Sequence, residues 1–243
     1  METKRNEIGM IGLGVMGRNM LLNMADHGFS VAGYDKDPSK VEALQKESAG
    51  TKIQTAANMQ DFIGLLRSPR AVMMLVPAGP PVDSVIGEVL PHLEKGDLII
   101  DAGNSYFKDT DLRARNLAGK GIHFLGVGVS GGEEGARHGA SIMPGGPKEA
   151  YQRVRLLLEA VAAKVGSEAC VTYLGQGSAG HPALRKLLDI APRLSGMKLH
   201  GRVHHGDIAE GEDVLRLQTE HRIDIGRPTP YAFDGHQLFP RQA

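Results

Sequence analysis

Three glycines follow the first apolar stretch of the chain in the pattern Gly-x-Gly-x-x-Gly. Gly12 permits a tight turn, Gly14 lets backbone approach a pyrophosphate, and Gly17 lets the following helix pack closely against the strand. Free N–H groups at the start of that helix attract an anion. The spacing therefore predicts a dinucleotide-binding loop that consists of Gly12, Leu13, Gly14, Val15, Met16 and Gly17.

An acidic residue follows this loop at the distance at which a ribose would be bound. Asp35 ends the second predicted strand, 23 residues after Gly12. A carboxylate at this place accepts a hydrogen bond from a ribose 2′-hydroxyl and repels a 2′-phosphate, which favours NAD. Lys36 can neutralise a phosphate, whereas Asp37 adds a second negative charge. Charge alone therefore leaves the choice between NAD and NADP open.

Two polar loops further along the chain are of the kind that hold a substrate. The first is Asp101-Ala102-Gly103-Asn104-Ser105. The second, at residues 128–133, includes Ser130, Gly131 and Gly132. A hydroxyl beside exposed backbone N–H groups suits an anionic ligand. The sequence thus places candidate substrate contacts downstream of the dinucleotide loop.

Short apolar runs alternate with amphipathic segments along most of the chain. The apolar runs predict strands at residues 8–13, 30–34, 71–76, 98–101, 122–125 and 171–174. Helical patterns occupy residues 18–27, 38–46, 56–66, 81–93, 110–119 and 148–164, and Gly28 and Gly121 stand at expected helix C-termini. Several strands are apolar throughout, which indicates a sheet covered on both faces. We predict an α/β fold with a Rossmann-like, doubly wound and mostly parallel sheet.

Composition excludes several classes of partner. The formal net charge is zero, aromatic residues make up 5% and Trp is missing, so nothing favours binding to nucleic acid or a membrane. Cys170 is the only cysteine, which excludes an intrachain disulfide and fits a reducing compartment. No apolar run approaches the roughly 20 residues of a membrane span. The polar start of the chain has no signal-peptide core behind it, so we expect a soluble cytoplasmic protein.

Several glycine-bearing motifs together resemble those of 6-phosphogluconate dehydrogenase, in the β-hydroxyacid dehydrogenase group. The resemblance covers about residues 5–181 and is strongest at 100–105, Ile-Asp-Ala-Gly-Asn-Ser, and at 126–137, Gly-Val-Gly-Val-Ser-Gly-Gly-Glu-Glu-Gly-Ala-Arg. The glycine loop, Met143-Pro144-Gly145-Gly146 and residues 177–181 extend it. The family oxidises 6-phosphogluconate, passes hydride to NADP and releases carbon dioxide, which yields ribulose 5-phosphate in the pentose phosphate pathway.

The resemblance implies a role for each loop. Residues 12–17, Asp35, Lys36, Asp37, Val76, Pro77 and Ala78 would line the cofactor. Asn104 would contact both cofactor and sugar acid and position them, while Ser130, Gly131 and Gly132 would bind the carboxylate end of the substrate. Two segments depart from the family: its usual Asn-Arg-Thr is Asp-Lys-Asp at 35–37, and its Val-Lys-Ala is Val-Pro-Ala at 76–78. The first departure bears on NADP preference.

The catalytic motif of the family is not recognisable in this chain. After Gly-His the family has x-x-Lys-Met-Val-His-Asn-Gly-x-Glu-Tyr, in which Lys is the general base and Glu the acid. Leu184 occupies the Lys position, and Lys186 lies two residues later, about 200° around a helix from the expected face. We therefore expect weak or no turnover. The family is homodimeric through an all-α domain that this sequence does not predict.

We predict a dinucleotide-binding domain at residues 1–181 and an irregular tail at residues 182–243. Only short helices at 182–194 and 211–220 are indicated there. The tail is hypothesised to be a truncated or frameshifted remnant of a longer gene. Clustered His200, His204, His205 and Asp207 offer a weaker alternative, a metal site, which their glycine-interrupted setting disfavours; we predict no bound metal.

Two other functions stay open at this point. One is a binding module that holds a dinucleotide without turnover. The other is a β-hydroxyacid dehydrogenase of the 3-hydroxyisobutyrate type. The long loop from Ser130 to Arg137 fits the 6-phosphogluconate branch better. In each case the partner is a small molecule. For a member of the 6-phosphogluconate dehydrogenase family it would be a phosphorylated sugar acid.

Overall fold

The computed structural model describes residues 5–48, 51 and 53–175, and seven strands of this part form one sheet. They are β1 (Ile8–Ile11), β2 (Val31–Tyr34), β3 (Ile53–Thr55), β4 (Ala71–Met74), β5 (Leu98–Asp101), β6 (His123–Ser130) and β7 (Ser141–Gly145). Two short strands, β8 (Lys164–Val165) and β9 (Glu168–Ala169), pair with each other as a hairpin.

The order of the strands is β3-β2-β1-β4-β5-β6-β7, and the pairs up to β6 are parallel. Their ends are aligned: Ile11 lies opposite Tyr34 and Met74, and Met74 lies opposite Asp101. β7 returns antiparallel to β6. This is the order of a doubly wound dinucleotide-binding sheet with one added edge strand, so the predicted fold class is confirmed.

Seven α-helices connect the strands in the part of the chain that the structure describes. They are α1 (Val15–Asp26), α2 (Pro38–Glu47), α3 (Met59–Gly64), α4 (Pro80–Val89), α5 (Phe107–Ala118), α6 (Gly132–His138) and α7 (Lys148–Val161). Gly28 and Gly121 have φ angles of 87° and 76°, which fits their predicted places after α1 and α5. Within these ranges, no helix is long and apolar enough to cross a membrane.

The core lies on both faces of the sheet because strand side chains alternate between two buried clusters. On one face Met10, Met73 and Ile100 pack with side chains of α1, α2, α6 and α7. On the other face Ile11 and Met74 pack with side chains of α3, α4 and α5. Strands covered on two faces need apolar residues at every position, which explains the continuous apolar runs of the sequence.

The structure differs from the predicted elements mainly near β6. That strand runs to Ser130, and it is followed by α6 and β7, neither of which the sequence predicts. The predicted strand at 171–174 is instead a segment along β7, where the Thr172 N–H donates to Ile142 O and the Leu174 N–H to Pro144 O. β3 is also not predicted, since Ile53 and Thr55 are only partly buried, Gln54 is exposed, and the three residues show no apolar run.

Several predictions lie outside the described residues. They are the motif at 177–181, Leu184 and Lys186, the short helices at 182–194 and 211–220, and the histidines at 200, 204 and 205. The boundary at residue 181 and the tail at 182–243 therefore stay predictions.

Gly17 gives a direct test of how tightly α1 packs on the turn after β1. A Cβ atom at this position would overlap the carbonyl oxygen of Gly12, which is backbone and cannot rotate away. We expect Gly17→Ala to lower the free energy of unfolding by at least about 2 kcal/mol. Urea denaturation of the full chain measures it.

The matched control is Gly87→Ala in the last turn of α4, where a Cβ atom has no neighbour within 4 Å. That change should raise stability by up to about 1 kcal/mol, since Ala favours a helix more than Gly does. Equal stability of the Gly17→Ala chain and the unaltered chain would contradict the tight packing.

Candidate functional site

The predicted ligand residues follow the carboxyl ends of β1, β2, β4, β5 and β6. Because these strands are parallel and aligned, the loops that follow them meet at one edge of the sheet. The chain leaves β1 towards β2 on one side and returns to β4 on the other, which makes the β1–β4 boundary the switch point where open α/β sheets bind ligands. The topology therefore gathers the candidate residues at this edge.

The glycine loop has the backbone geometry that the pattern predicts. Gly12 has a φ of 93°, and a Cβ atom there would lie 2.5 Å from the Leu75 carbonyl oxygen at the end of the next strand. Gly14 is different, since a Cβ atom on it would meet nothing within 4 Å. It precedes α1, whose N-terminus no side chain caps. An uncapped helix start beside open space suits a pyrophosphate.

The Asp35 carboxylate fixes the backbone of the glycine loop by accepting a hydrogen bond from it. Its side chain is 7% exposed. One carboxylate oxygen accepts the Leu13 N–H at 2.8 Å, and the other accepts the Asp37 N–H at 2.9 Å. Lys40 Nζ lies 3.5 Å from the same carboxylate. The carboxylate thus has partners within the protein, and its charge is partly balanced. Its predicted contact with a ribose stays a prediction.

The two residues after Asp35 point to different tasks. Asp37 caps α2: its carboxylate accepts the Ser39 N–H at 3.0 Å and the Ser39 hydroxyl at 2.7 Å. These bonds to Ser39 hold the pKa of the Asp37 carboxyl below its usual value. Lys36 is exposed and free to reach a ligand. Of the Asp-Lys-Asp segment, Lys36 is therefore the most exposed residue.

The loops after β4 and β5 contact each other. Val76 is half-buried, Pro77 and Ala78 are exposed, and a Cβ atom at Gly103 would lie 3.0 Å from the Val76 carbonyl oxygen. Asn104 follows this contact with an exposed side chain. The two loops therefore present Ala78 and Asn104 at neighbouring places on the carboxyl edge.

A buried guanidinium lies beneath these two loops. Arg113 of α5 is 6% exposed and donates to both carboxylate oxygens of Asp83, at 2.7 and 2.8 Å. Its other donors reach the Gly79 carbonyl oxygen at 3.2 Å and the Ser105 hydroxyl at 3.3 Å. The Ser105 hydroxyl donates to Asp101 at 2.6 Å. Hydrogen bonding to Arg113 lowers the pKa of the Asp83 carboxyl.

The second polar loop extends beyond the rest of the sheet. β5 ends at Asp101, which pairs with Gly126, whereas β6 continues to Ser130 beside β7. Gly131 and Gly132 then turn the chain with φ angles of 133° and 60°. Both are exposed, and a Cβ atom on Gly132 would meet nothing within 4 Å. Ser130 and the two glycines thus form an open turn.

Helix α6, which follows this turn, packs against α1 of the glycine loop. Asn23 of α1 is 1% exposed, and its amide donates to the Ala136 carbonyl of α6 and the Val161 carbonyl of α7, both at 3.1 Å. Nearer the surface, Arg137 pairs with Asp26 at 2.6 Å. One helix therefore carries the glycine loop and supports the Ser130 turn.

The structure brings residues of all the predicted cofactor and substrate loops to one edge. Leu184, at the position where the family has its general base, lies outside the described residues. Sequence reasoning missed Asn23, Asp83 and Arg113. For Asn23 and Arg113 the available signal was a polar or charged residue on a buried helix face, which is rarely buried without a partner. Asp83 is largely exposed and gave no such signal. In the described ranges, no group of three or more His, Cys, Asp or Glu could hold a metal ion.

Comparison with known proteins shows the family of this chain. Residues 7–175 match the model for the NAD binding domain of 6-phosphogluconate dehydrogenase. The NADP-dependent, decarboxylating 6-phosphogluconate dehydrogenase of Bacillus subtilis is 49% identical over 73% of this chain and 38% of its own. The decarboxylating enzyme of Chlamydia pneumoniae is 51% identical over 87% of this chain and 42% of its own.

A solved structure agrees with these relatives. The Plasmodium falciparum 6-phosphogluconate dehydrogenase, determined in apo form, with its cofactor NADP⁺ and with its substrate 6-phosphogluconate, is 41% identical. It has a TM-score of 0.70 and covers 74% of this chain and 39% of that one. The chain thus spans about two fifths of the length of these relatives. The alignment with the Chlamydia enzyme covers 216 residues, whereas the predicted dinucleotide-binding domain has 181. The alignment therefore continues past the predicted boundary at residue 181.

The Asn23 contact predicts that α6 depends on α1. Asn23→Leu leaves the carbonyls of Ala136 and Val161 without their donor, and we expect it to lower the free energy of unfolding by roughly 2–4 kcal/mol. Amide hydrogen exchange should accelerate more in α6 than in α4, which Asn23 does not contact.

The control for this prediction is Asn19→Ala on the same helix. The Asn19 amide makes only a long, exposed contact with Glu133, at 3.5 Å, so its loss should change stability by less than about 0.5 kcal/mol. Unchanged exchange in α6 of the Asn23→Leu chain would show that the amide does not support this helix.

Proposed function

The chain belongs to the 6-phosphogluconate dehydrogenase family through its NAD-binding domain at residues 7–175, and from this membership we propose that it binds a nicotinamide dinucleotide at the carboxyl edge of its sheet. The observation that carries the proposal is Gly14, which faces open space before the uncapped start of α1. Any larger residue would place a side chain where the pyrophosphate is expected to lie.

Named residues fit the dinucleotide in different ways. We assign the pyrophosphate to the backbone of residues 12–17, and the adenosine ribose to the segment Asp35, Lys36 and Asp37. Within that segment Lys36 is exposed, while Asp35 and Asp37 already accept backbone hydrogen bonds. This arrangement weakens the electrostatic case against a 2′-phosphate, so NADP and NAD both remain candidates. A bound nicotinamide dinucleotide supplies the hydride acceptor of an oxidation.

The residues proposed for the substrate are Asn104, Ser130, Gly131 and Gly132. Asn104 offers an exposed amide beside the loop of Val76, Pro77 and Ala78, which is assigned to the cofactor. The turn at Ser130 offers a hydroxyl and backbone N–H groups in an open conformation. Such donors suit the carboxylate of a phosphorylated sugar acid. We accordingly propose 6-phosphogluconate as the substrate class.

The proposed reaction is that of the whole family protein, oxidation of 6-phosphogluconate with loss of carbon dioxide. For this chain by itself we propose dinucleotide binding with little or no turnover. The supporting observation is Leu184, which stands where the family has its general base. A binding module without turnover is therefore the second candidate function.

The single Cys170 favours a reducing cytoplasm as the location of the protein.

Dinucleotide binding is tested with Gly14→Ala. Its backbone angles, φ −62° and ψ −179°, suit alanine, and the added Cβ atom meets no protein atom within 4 Å, so stability should be unchanged. Affinity for the dinucleotide should fall by at least about tenfold, because the methyl group occupies the approach of the pyrophosphate.

Calorimetric titration with NADP and NAD side by side measures this effect, with Gly87→Ala as the control that should bind like the unaltered chain. An unaltered chain that binds neither dinucleotide would refute the proposed function. Equal binding by the Gly14→Ala chain would place the dinucleotide elsewhere.

Turnover is a separate test. With 6-phosphogluconate and NADP or NAD, the full chain should form reduced nicotinamide at least about a hundredfold more slowly than the Bacillus subtilis relative, because a positioned general base and acid contribute that much or more. Absorbance of the reduced cofactor gives both rates. A comparable rate would show that this chain holds a working base and acid.

A further inference from the structure

The guanidinium of Arg113 connects two ligand loops, each at a residue that follows its predicted ligand contacts. It reaches the carbonyl oxygen of Gly79, which follows the loop at 76–78, and the hydroxyl of Ser105, which follows Asn104. It is anchored by two bonds to Asp83 and lies 3.8 Å from the buried carboxylate of Asp101. One side chain thus sets the distance between the β4 and β5 loops.

These two loops lie on one side of the switch point. In a doubly wound sheet the pyrophosphate lies at the first helix and the adenosine ribose at the end of the second strand. Here those places are α1 and Asp35, so the adenosine half of a dinucleotide lies towards β2. The other half must extend towards β4 and β5, above the loops that Arg113 joins.

We propose that Arg113 is a positioning residue for the nicotinamide half of the dinucleotide, a role that rests on the proposed function. It does not touch the ligand itself. It holds the segment at 76–78 and Asn104 at a fixed distance from each other. The binding surface for the nicotinamide between them is therefore formed before the ligand binds. The adenosine half depends on the glycine loop and Asp35, which Arg113 does not contact.

The chemistry of the contacts requires arginine. Four acceptors or dipoles surround one side chain: the Asp83 carboxylate, the Gly79 carbonyl, the Ser105 hydroxyl and the more distant Asp101 carboxylate. A guanidinium presents five donors in a planar fork, whereas a lysine ammonium is a single point with three. Arg113→Lys therefore keeps the positive charge but cannot hold both loops.

A second buried arginine lies at the opposite ends of β4 and β5, where these two strands begin. Arg70 precedes β4, and its guanidinium pairs with Asp97, which precedes β5, at 3.0 Å. The two side chains are 14% and 1% exposed, so this pair is buried in the manner of Arg113. Arg70→Lys thus weakens another pair of a buried guanidinium with a carboxylate, far from the carboxyl edge, and it controls for a general loss of stability.

The experiment compares whole dinucleotides with their adenosine fragments on the full chain. Calorimetry gives the affinities of NADPH and adenosine 2′,5′-bisphosphate, and in parallel those of NADH and ADP. Arg113→Lys should weaken the dinucleotide about tenfold and change the fragment by less than about twofold, because only the nicotinamide half loses its prepared surface. Arg70→Lys should leave both affinities unchanged.

A second variant keeps the test decisive if Arg113→Lys fails to fold. Asp83 is 60% exposed and anchors Arg113 from α4, so Asp83→Asn should preserve the fold and weaken the dinucleotide selectively in the same direction. Loss of dinucleotide and fragment to the same extent, or of neither, overturns the role of Arg113. An unaltered chain that binds neither ligand would overturn the proposed function itself, which is a different result.

Discussion

Asn23 makes two hydrogen bonds in the dry interior between three helices, and the arrangement of the candidate site depends on them. The amide donates to the carbonyls of Ala136 and Val161, and all three residues are almost fully buried, so these hydrogen bonds are costly to lose. The same helix, α1, is held at its other end by the close approach of Gly17 to the turn at Gly12. The glycine loop and the Ser130 turn therefore share one rigid support, so any displacement of α1 moves both.

Much of the fold follows from the sequence because its signals are local. A parallel strand covered on both faces must be apolar at each position, and the runs at β1, β4 and β5 are therefore visible without a structure. The glycine loop is visible for a similar reason, since close backbone contacts at Gly12 and Gly17 admit no side chain. Asn104 and the turn at Ser130 were identified from motifs, and the topology brings them to the carboxyl edge.

The remaining features depend on contacts between distant parts of the chain. Helix α6 begins with Gly132 and contains Gly135, a composition that disfavours a helix, and it forms against α1. From the sequence alone, Arg113 is expected at the surface, like most arginines. Its burial depends on contacts with Asp83 and Gly79, which lie about 30 residues away in the sequence. Asp35 was assigned to a ribose from its spacing alone, whereas its bonds to the Leu13 and Asp37 N–H groups appear only in three dimensions.

The segment along β7 has a consequence for how copies of the chain can meet. An uncovered border strand offers a row of free N–H and carbonyl groups on which a strand of another chain can dock. Here Thr172 and Leu174 already bond to β7, and the Tyr173 hydroxyl donates to Gly146 at 2.6 Å. At the other border, β3 is only three residues long. In the part of the chain that the structure describes, both border strands are therefore poor templates for the addition of a strand from another chain.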